Sequence, residues 1–569
     1  MKLFTEFMRR APNKVFLSVV LGTIAGIGYS ALIPLVLISV QPKDESFVEV
    51  GDQVDTVLGI EVASLELAIL FFSSCFLILA IRTISEVILL RVAALVAKDF
   101  RTRFYHQISN APIAALEKLG SSKLIASINI DVPRVVMGAR IIPGLLINSV
   151  SLVGMLGFLL YLNAEVFKLV IMAIVFGVIT YQIPMLFGRK IFTRSRNIRD
   201  ELQEGIRGLV YGAKELKLSS EKRAVFFEKV LNKHEQEILK NDKLAHTIVN
   251  VTSSFGELMS FFVIGLVSFV FVNYHSMTQQ ELIGVVMALL YLVGPMGIIL
   301  NAIPQLTVSM VSVRKIGQLL KAIPNEEIER SAKDFDSWQS IKFNKVYYQY
   351  ESPDDEPGFE VGPISIEIEK GKITFIIGAN GSGKSTLSKL ITLHYLPQKG
   401  TISFGNQPID RESVFTFRQS ISAIYSDYFL FDQLLINVDS DKERLANEYL
   451  DLLHLSSKVK ITDGRFSTIS LSDGQRKRLA LLVAFLEDKP VYLFDEWAAD
   501  QDPVFKRVFY HRILPELKKK NKAVIVISHD DKYFHVADKI IVMEQGSAMS
   551  KANQELSNTE KQSMVEEFC

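Results

Sequence analysis

The chain has 569 residues, too many for one ordinary domain. Its hydrophobic content is 49% and its mean hydropathy +0.24, high for a soluble protein, so membrane segments are expected. The balance of 63 basic against 62 acidic residues leaves no global field for nucleic acid, and two distant cysteines, Cys75 and Cys569, argue against a disulfide framework or a cysteine metal site.

Lys2, Arg9 and Arg10 precede an apolar segment without a convincing cleavage site, which reads as a signal anchor and first span. A span needs about 20 mostly apolar residues. Six are expected, at Val15 to Val40, Leu65 to Leu90, Ile141 to Leu162, Phe167 to Phe187, Ile248 to Val272 and Leu282 to Leu306. Gly22, Gly26 and Gly28 mark a close helix contact in the first, and Pro295 and Pro304 are expected to kink the sixth. Arg82 and Glu86 stand one helical turn apart and form a candidate pair. Glu257 falls near mid-membrane in the fifth span, where it either lines a substrate cavity or satisfies a neighbouring helix.

Residues 41–64 carry Lys43 against Asp44, Glu45, Glu49, Asp52, Asp55 and Glu61, and residues 273–281 carry no Lys or Arg. The 187–245 loop is rich in base, with Arg189, Lys190, Arg194, Arg196 and Arg199. The positive-inside rule then puts both termini in the cytoplasm. The long cytoplasmic connections, 91–140 and 188–247, read as helices that continue the spans. They turn at tips near Ala111–Leu119 and Gly212–Leu218, placed to touch a cytoplasmic domain.

Composition becomes polar after Arg314, which suits a linker, and the chain divides into a transmembrane domain, 1–325, and a nucleotide domain, 326–569. Alternating strand and helix patterns run to about Gly546, and the polar tail 547–569 reads as loosely held. The apolar run Ile373–Ile377 leads into Gly378, Ala379, Asn380, Gly381, Ser382, Gly383, Lys384, Ser385 and Thr386, followed by a helical pattern. A strand, a glycine-rich loop and a helix in this order make a phosphate-binding loop. Glycines let backbone N–H groups face a phosphate, and the helix N-terminus adds its positive end. Lys384 would reach the β- and γ-phosphates, and Ser385 would hold Mg²⁺. Further on, Ser472, Gly474 and Gln475 open a helix with a second anion site. The strand Val491–Phe494 ends in Asp495, a ligand for Mg²⁺ directly or through water, and Glu496, placed to polarise an attacking water. A last apolar strand, Ala523–Ser528, ends at His529, placed to contact the γ-phosphate.

This ordered set resembles the ATP-binding cassette (ABC) transporters of exporter type over nearly the whole chain. Residues 378–386 match the Walker A loop, 471–475 the signature, 491–496 Walker B, His529 the switch histidine and Asp502 the D-loop aspartate. Tyr350 matches the aromatic that stacks on adenine, with Tyr348 as fallback. The resemblance implies a six-span helical domain fused to an α/β P-loop domain. It also implies a homodimer in which Ser472 and Gly474 serve the ATP held by the other chain. Three departures stand out. Asp473 replaces a signature glycine. Ser426 stands where the Q-loop has glutamine, with Asp427 as a substitute. Trp-Ala-Ala-Asp-Gln501 follows Glu496. The strings Asp495-Glu-Trp-Ala-Ala-Asp-Gln-Asp-Pro503 and Leu471-Ser-Asp-Gly-Gln-Arg-Lys-Arg-Leu479 resemble the bacterial cyclic-peptide exporters, as does Gly212-Ala-Lys-Glu-Leu-Lys-Leu218.

The expectation is an ATP- and Mg²⁺-dependent exporter of a peptide, lipopeptide or peptide siderophore across the bacterial inner membrane, with Lys384, Glu496 and His529 carrying the chemistry. Its partners would be a second copy, membrane lipids and a peptide-like substrate, without nucleic acid; a periplasmic or outer-membrane export partner is left open. The competing readings are a lipid flippase and an ATP-gated regulator with little turnover.

Overall fold

Apolar runs with few breakers close their backbone hydrogen bonds within a helix, the state a bilayer demands. The computed structural model describes residues 2–39, 56–57, 60–61, 65–270, 278–326, 338–350, 358–410 and 413–552. It divides into two compact units, residues 1–105 with 122–320, and residues 106–121 with 321–569. The acidic loop at 41–64 lies largely outside the described residues, as does part of the 273–281 loop.

The first unit is helical: α1 (Pro12–Ser39), α2 (Leu65–Ser109), α4 (Val132–Leu162), α5 (Ala164–Tyr211), α6 (Lys233–Gly265) and α7 (Gln279–Ala322). The short helix α3 (Ile113–Leu119) belongs to the second unit. At 45 and 48 residues, α2 and α5 run about 68 and 72 Å, more than twice a bilayer core of about 30 Å, so they continue well past it. Among the described residues five helices are long and apolar enough to cross a membrane, and only 6% to 33% of their most apolar stretches is buried. Apolar side chains that stay exposed, such as Phe72, Phe76 and Phe269, suit lipid as the solvent. The segment expected as the fifth span is helical through α6 and a π-helical end, Leu266–Val270. Its apolar stretch among the described residues is Phe261–Val270, and in sequence the residues from 253 to 270 carry Glu257 as their one charged group.

Close packing in this unit uses small residues. A Cβ on Gly26 would stand 2.7 Å from the Ile147 carbonyl, and one on Gly28 would stand 2.7 Å from Ile78. Ser18 and Ser85 each donate to the other's carbonyl, at 2.9 and 2.7 Å. Hydroxyls that bond across helices are the polar glue of membrane bundles. Arg82 Nε donates to Glu86 at 3.0 Å and its guanidinium to the Tyr29 hydroxyl at 3.2 Å, the expected pair with a third member. Helix α7 passes through both Pro295 and Pro304 without interruption. The buried carboxylate of Asp131 is held by Lys315 at 2.8 Å, Ser312 at 3.0 Å and Ser127 at 3.1 Å.

Among the described residues the main sheet of the second unit has ten strands: β1 (Ser340–Gln349), β2 (Glu360–Glu369), β3 (Ile373–Gly378), β4 (Lys399–Phe404), β5 (Gln407–Pro408), β6 (Ile421–Ile424), β7 (Val491–Asp495), β8 (Ala523–Ile527), β9 (Lys539–Glu544) and β10 (Ser547–Ala552). They lie in the order β5-β4-β1-β2-β10-β9-β3-β8-β7-β6. Strands β9, β3, β8, β7 and β6 are parallel, and β3, β7 and β8 are buried throughout, as strands covered on both faces must be. The start of the tail corrects the expectation of a loose end. Residues 547–552 turn at Gln545 and Gly546, both at positive φ, and pair antiparallel with β9 as β10. Small and polar side chains hid this strand, whose partner is only a turn away.

Candidate functional site

The parallel register sets the site. Asp495 pairs with Ile527, and Ile527 with Ile376, so the loops after β3, β8 and β7 leave one sheet edge side by side. That edge is where α/β sheets gather ligand chemistry.

Gly378 ends β3 at φ +149°, and a Cβ there would stand 2.3 Å from the Met543 carbonyl, so only glycine passes. Gly381 and Gly383 also hold positive φ, and helix α8 (Lys384–Ile391) starts at the next residue. Lys384 is buried, and its Nζ donates to the carbonyls of Gly378 at 2.8 Å and Ala379 at 2.9 Å. Burial pulls its pKa below the usual lysine value, against the charges of Glu496 and Asp495. The buried Ser382 hydroxyl has no hydrogen-bond partner among the described residues. An orphaned donor, glycines that admit no side chain and a desolvated lysine at a helix N-terminus fit a bound phosphate chain. Ser385 is exposed on the first turn of α8.

Asp495 is buried, and that burial, with the charge of Glu496, pushes its carboxyl up to about 6. The Ser426 N–H donates to it and Asp427 adds negative charge nearby, so the serine at the Q-loop position touches the acid through its backbone. A buried carboxyl beside a second carboxylate suits a divalent cation. Glu496 sits in the left-handed region at φ +48°, and its N–H donates to the Ile527 carbonyl at 3.0 Å. His529 Nε2 lies 3.5 Å from Glu496 Oε1, both half-exposed. The Tyr350 hydroxyl is 3.1 Å from Thr386 Oγ1, which ties the aromatic to α8. Tyr348 stacks on Tyr395 at 4.4 Å, so one of its faces is already covered.

Helix α9 (Asp473–Glu487) is capped by Ser472, whose N–H donates to Gln475 Oε1 at 3.4 Å. Asp502 caps the next helix by accepting from Phe505 N at 2.9 Å and Val504 N at 3.1 Å, and also accepts from Arg478. The Phe505 bond, with Arg478, holds its carboxyl below the usual range.

Residues 361–499 match the family model for the ABC transporter. The chain is 32% identical over 462 residues to the ATP-binding protein SyrD of Pseudomonas syringae pv. syringae, covering 79% of this chain and 82% of that protein. It belongs to the ABC transporter family. The ATP-dependent lipid A-core flippases of Methylobacillus flagellatus and Salmonella typhimurium are each 24% identical, over 82% and 80% of this chain and 80% of each relative. The fold matches a bacterial Atm1-family ABC exporter with ATP bound, at TM-score 0.74 and 15% identity over 98% of both chains. The transporter is therefore a membrane protein of exporter fold that binds ATP and couples its hydrolysis to transport.

Its helical unit holds a cavity of about 490 Å³ between α5, α6 and α7. The walls are largely apolar, with Thr180, Tyr181 and Asn301 supplying polar groups, and the Tyr181 hydroxyl is 3.4 Å from Asn301 Oδ1. Phe255 and Met259 line it from α6. Glu257 lies between them in sequence, but its side chain is outside the described residues.

Two sets of residues escaped the motif reading. Glu117 of α3, at the expected first tip, accepts from Lys389 of α8 at 2.7 Å and from the Tyr395 hydroxyl, so this tip packs beside the phosphate-loop helix. The unusual strings after the signature and after Glu496 bind each other. The Trp497 Nε1 donates to the Lys477 carbonyl at 2.9 Å, Arg478 Nε to Gln501 at 2.9 Å, and Gln501 Nε2 to the Gly474 carbonyl at 2.9 Å. Their joint departure from the family pattern was the available signal.

Proposed function

We propose that the transporter is a homodimeric, ATP-driven exporter of a peptide or lipopeptide in the bacterial inner membrane, with both termini cytoplasmic. Residues 1–325 would form the transmembrane domain and 326–569 the ATP-binding domain, with the 106–121 tip passing motion between them. The observation that carries the hydrolytic part is the single sheet edge shared by the 378–386 loop, Asp495, Glu496 and His529. Lys384 leaves the loop carbonyls and donates to the β- and γ-phosphates. Ser385 and Asp495 would hold Mg²⁺, which supplies charge neutralisation at the transferred phosphate. Glu496 accepts the proton of the attacking water, and His529 orients that water against the γ-phosphate. Tyr350 presents its ring to adenine, while Ser472, Gly474 and Gln475 close on the nucleotide of the other copy.

Peptide cargo is supported by the paired strings at 471–479 and 495–503 and by the 32% identity to SyrD. A mostly apolar cavity with a Tyr181–Asn301 polar spot suits cargo that mixes apolar bulk with amides. The flippase relatives favour a second reading, lipid movement on the same scaffold. The test is ATPase activity of the full chain in lipid nanodiscs against cyclic and linear peptides, siderophores and lipids, with Glu496→Gln as blank, followed by uptake into inverted vesicles. Stimulation and uptake by peptides supports export. A response to lipids alone selects the flippase, and tight ATP binding without turnover rejects both in favour of a regulator.

A further inference from the structure

Lys477 is 4% exposed, and its Nζ reaches two groups of the segment after β7. It donates to the Glu496 carbonyl at 2.9 Å and pairs with Asp500 Oδ2 at 2.7 Å. Glu496 has a left-handed backbone, which costs a non-glycine residue free energy unless its surroundings hold it. Its N–H is fixed by Ile527 on one side and its carbonyl by Lys477 on the other. The direction of the Glu496 side chain follows from that peptide geometry.

The lysine is itself locked. Its own carbonyl accepts from Trp497, whose buried ring stacks on Phe509 at 4.4 Å. The next residue, Arg478, lies 3.9 Å over the Phe505 ring and bonds Gln501 and Asp502. Gln501 returns to the Gly474 carbonyl, where a Cβ would stand 2.6 Å from the Asp500 carbonyl. Helix α9 and the 496–502 segment are thus tied together at several points.

We propose that Lys477 is a positioning residue that aims the Glu496 carboxylate, and that it ties this aim to the position of the signature helix. The inference rests on the reading of Glu496 as the base. It adds that the helix capped by Ser472, which serves the second copy's nucleotide, is pinned to this chain's own Glu496 through one side chain. Closing the signature on one ATP then sets the base at the other.

The test uses the full chain in nanodiscs. Lys477→Met is expected to lower kcat at least about tenfold while KM for ATP and binding of a fluorescent ATP analogue stay within about twofold, since only transition-state geometry is lost. It should also reduce cooperativity in ATP. Lys477→Arg, which can still donate to the carbonyl, should restore at least about half of the activity. Asp500→Ala, at a half-exposed position, should fold and lower kcat about threefold with KM unchanged. Normal kcat in Lys477→Met overturns the proposal. So does a parallel loss of kcat, binding and melting temperature without rescue by arginine, and if Lys477→Met does not fold, an unchanged kcat in Asp500→Ala does the same. Normal turnover in Glu496→Gln would instead remove the base reading itself.

Discussion

The two units of the transporter keep their information in opposite places. In the ATP-binding unit the phosphate loop, Asp495, Glu496 and His529 each stand at a strand end or just after it, and the sheet lines those strand ends up. In the helical unit the cavity is walled by residues as far apart as Val170 and Asn301, brought together from three helices. The cores differ as well. The sheet unit fully buries Trp497, Tyr492, Phe494 and Phe509, while the helical unit turns Phe72, Phe76 and Phe269 outward. Water drives the first arrangement; a lipid environment permits the second, because tails are as apolar as the side chains they meet. Apolar content therefore means packing in one unit and solvent match in the other.

The largest effect should come from Glu496→Gln, which removes the proton acceptor and leaves the phosphate cradle intact. Steady-state turnover is expected to fall ~10²–10⁴-fold with ATP binding retained. An active variant would break the claim that chemistry is concentrated at the strand ends.

The aromatic contrast can be measured directly. Trp497→Ala opens a cavity beside Phe509 and should cost about 3–5 kcal/mol in the thermal unfolding of the ATP-binding unit. Phe76→Ala, at 73% exposure on the helical unit, should cost about 0.5 kcal/mol or less. Equal costs would show that the helical unit packs Phe76 against protein.

Protonation sharpens the comparison within the sheet unit. Burial, followed by the charge of Arg418, pushes His394 down to about 4, and its Nδ1 lies 2.8 Å from both Thr392 Oγ1 and the Tyr425 hydroxyl. Its folded pKa is below the unfolded value of about 6.5, so the unfolded chain binds more protons in this window. The stability it contributes is full above about 6.5 and is lost as pH falls toward about 4, a change of about 3 kcal/mol. His394→Gln should flatten that slope in unfolding measured between these values. An unchanged slope would place the histidine in a wetter site.

The smallest effect belongs to the cavity. Tyr181→Phe removes one long hydrogen bond to Asn301 and should weaken substrate stimulation of the ATPase about two- to tenfold, with basal turnover unchanged. A change in basal turnover alone would separate this cavity from the cargo path.

Much of the phosphate site was legible before the fold because its chemistry is local. A loop that admits only glycine, a lysine on the first turn of a helix and two acids at a strand end each write themselves into a few consecutive residues. The spans were legible for a similar reason, since a bilayer imposes length and apolarity on a continuous stretch. The pairing of Lys477 with the Glu496 carbonyl was not, because nothing in the spacing of 477 and 496 encodes a hydrogen bond between a helix and a strand end. Nor was β10, where Ser547–Ala552 earns its place through backbone pairing with β9 rather than through apolar side chains. Sequence by itself determined which residues could bind phosphate and which stretches could cross a membrane, because those demands act on neighbours in the chain. The tertiary structure decided which strand ends meet, that Glu117 reaches Lys389, and that helix α9 holds the 496–502 segment, because contacts between residues distant in sequence exist only once the chain is packed.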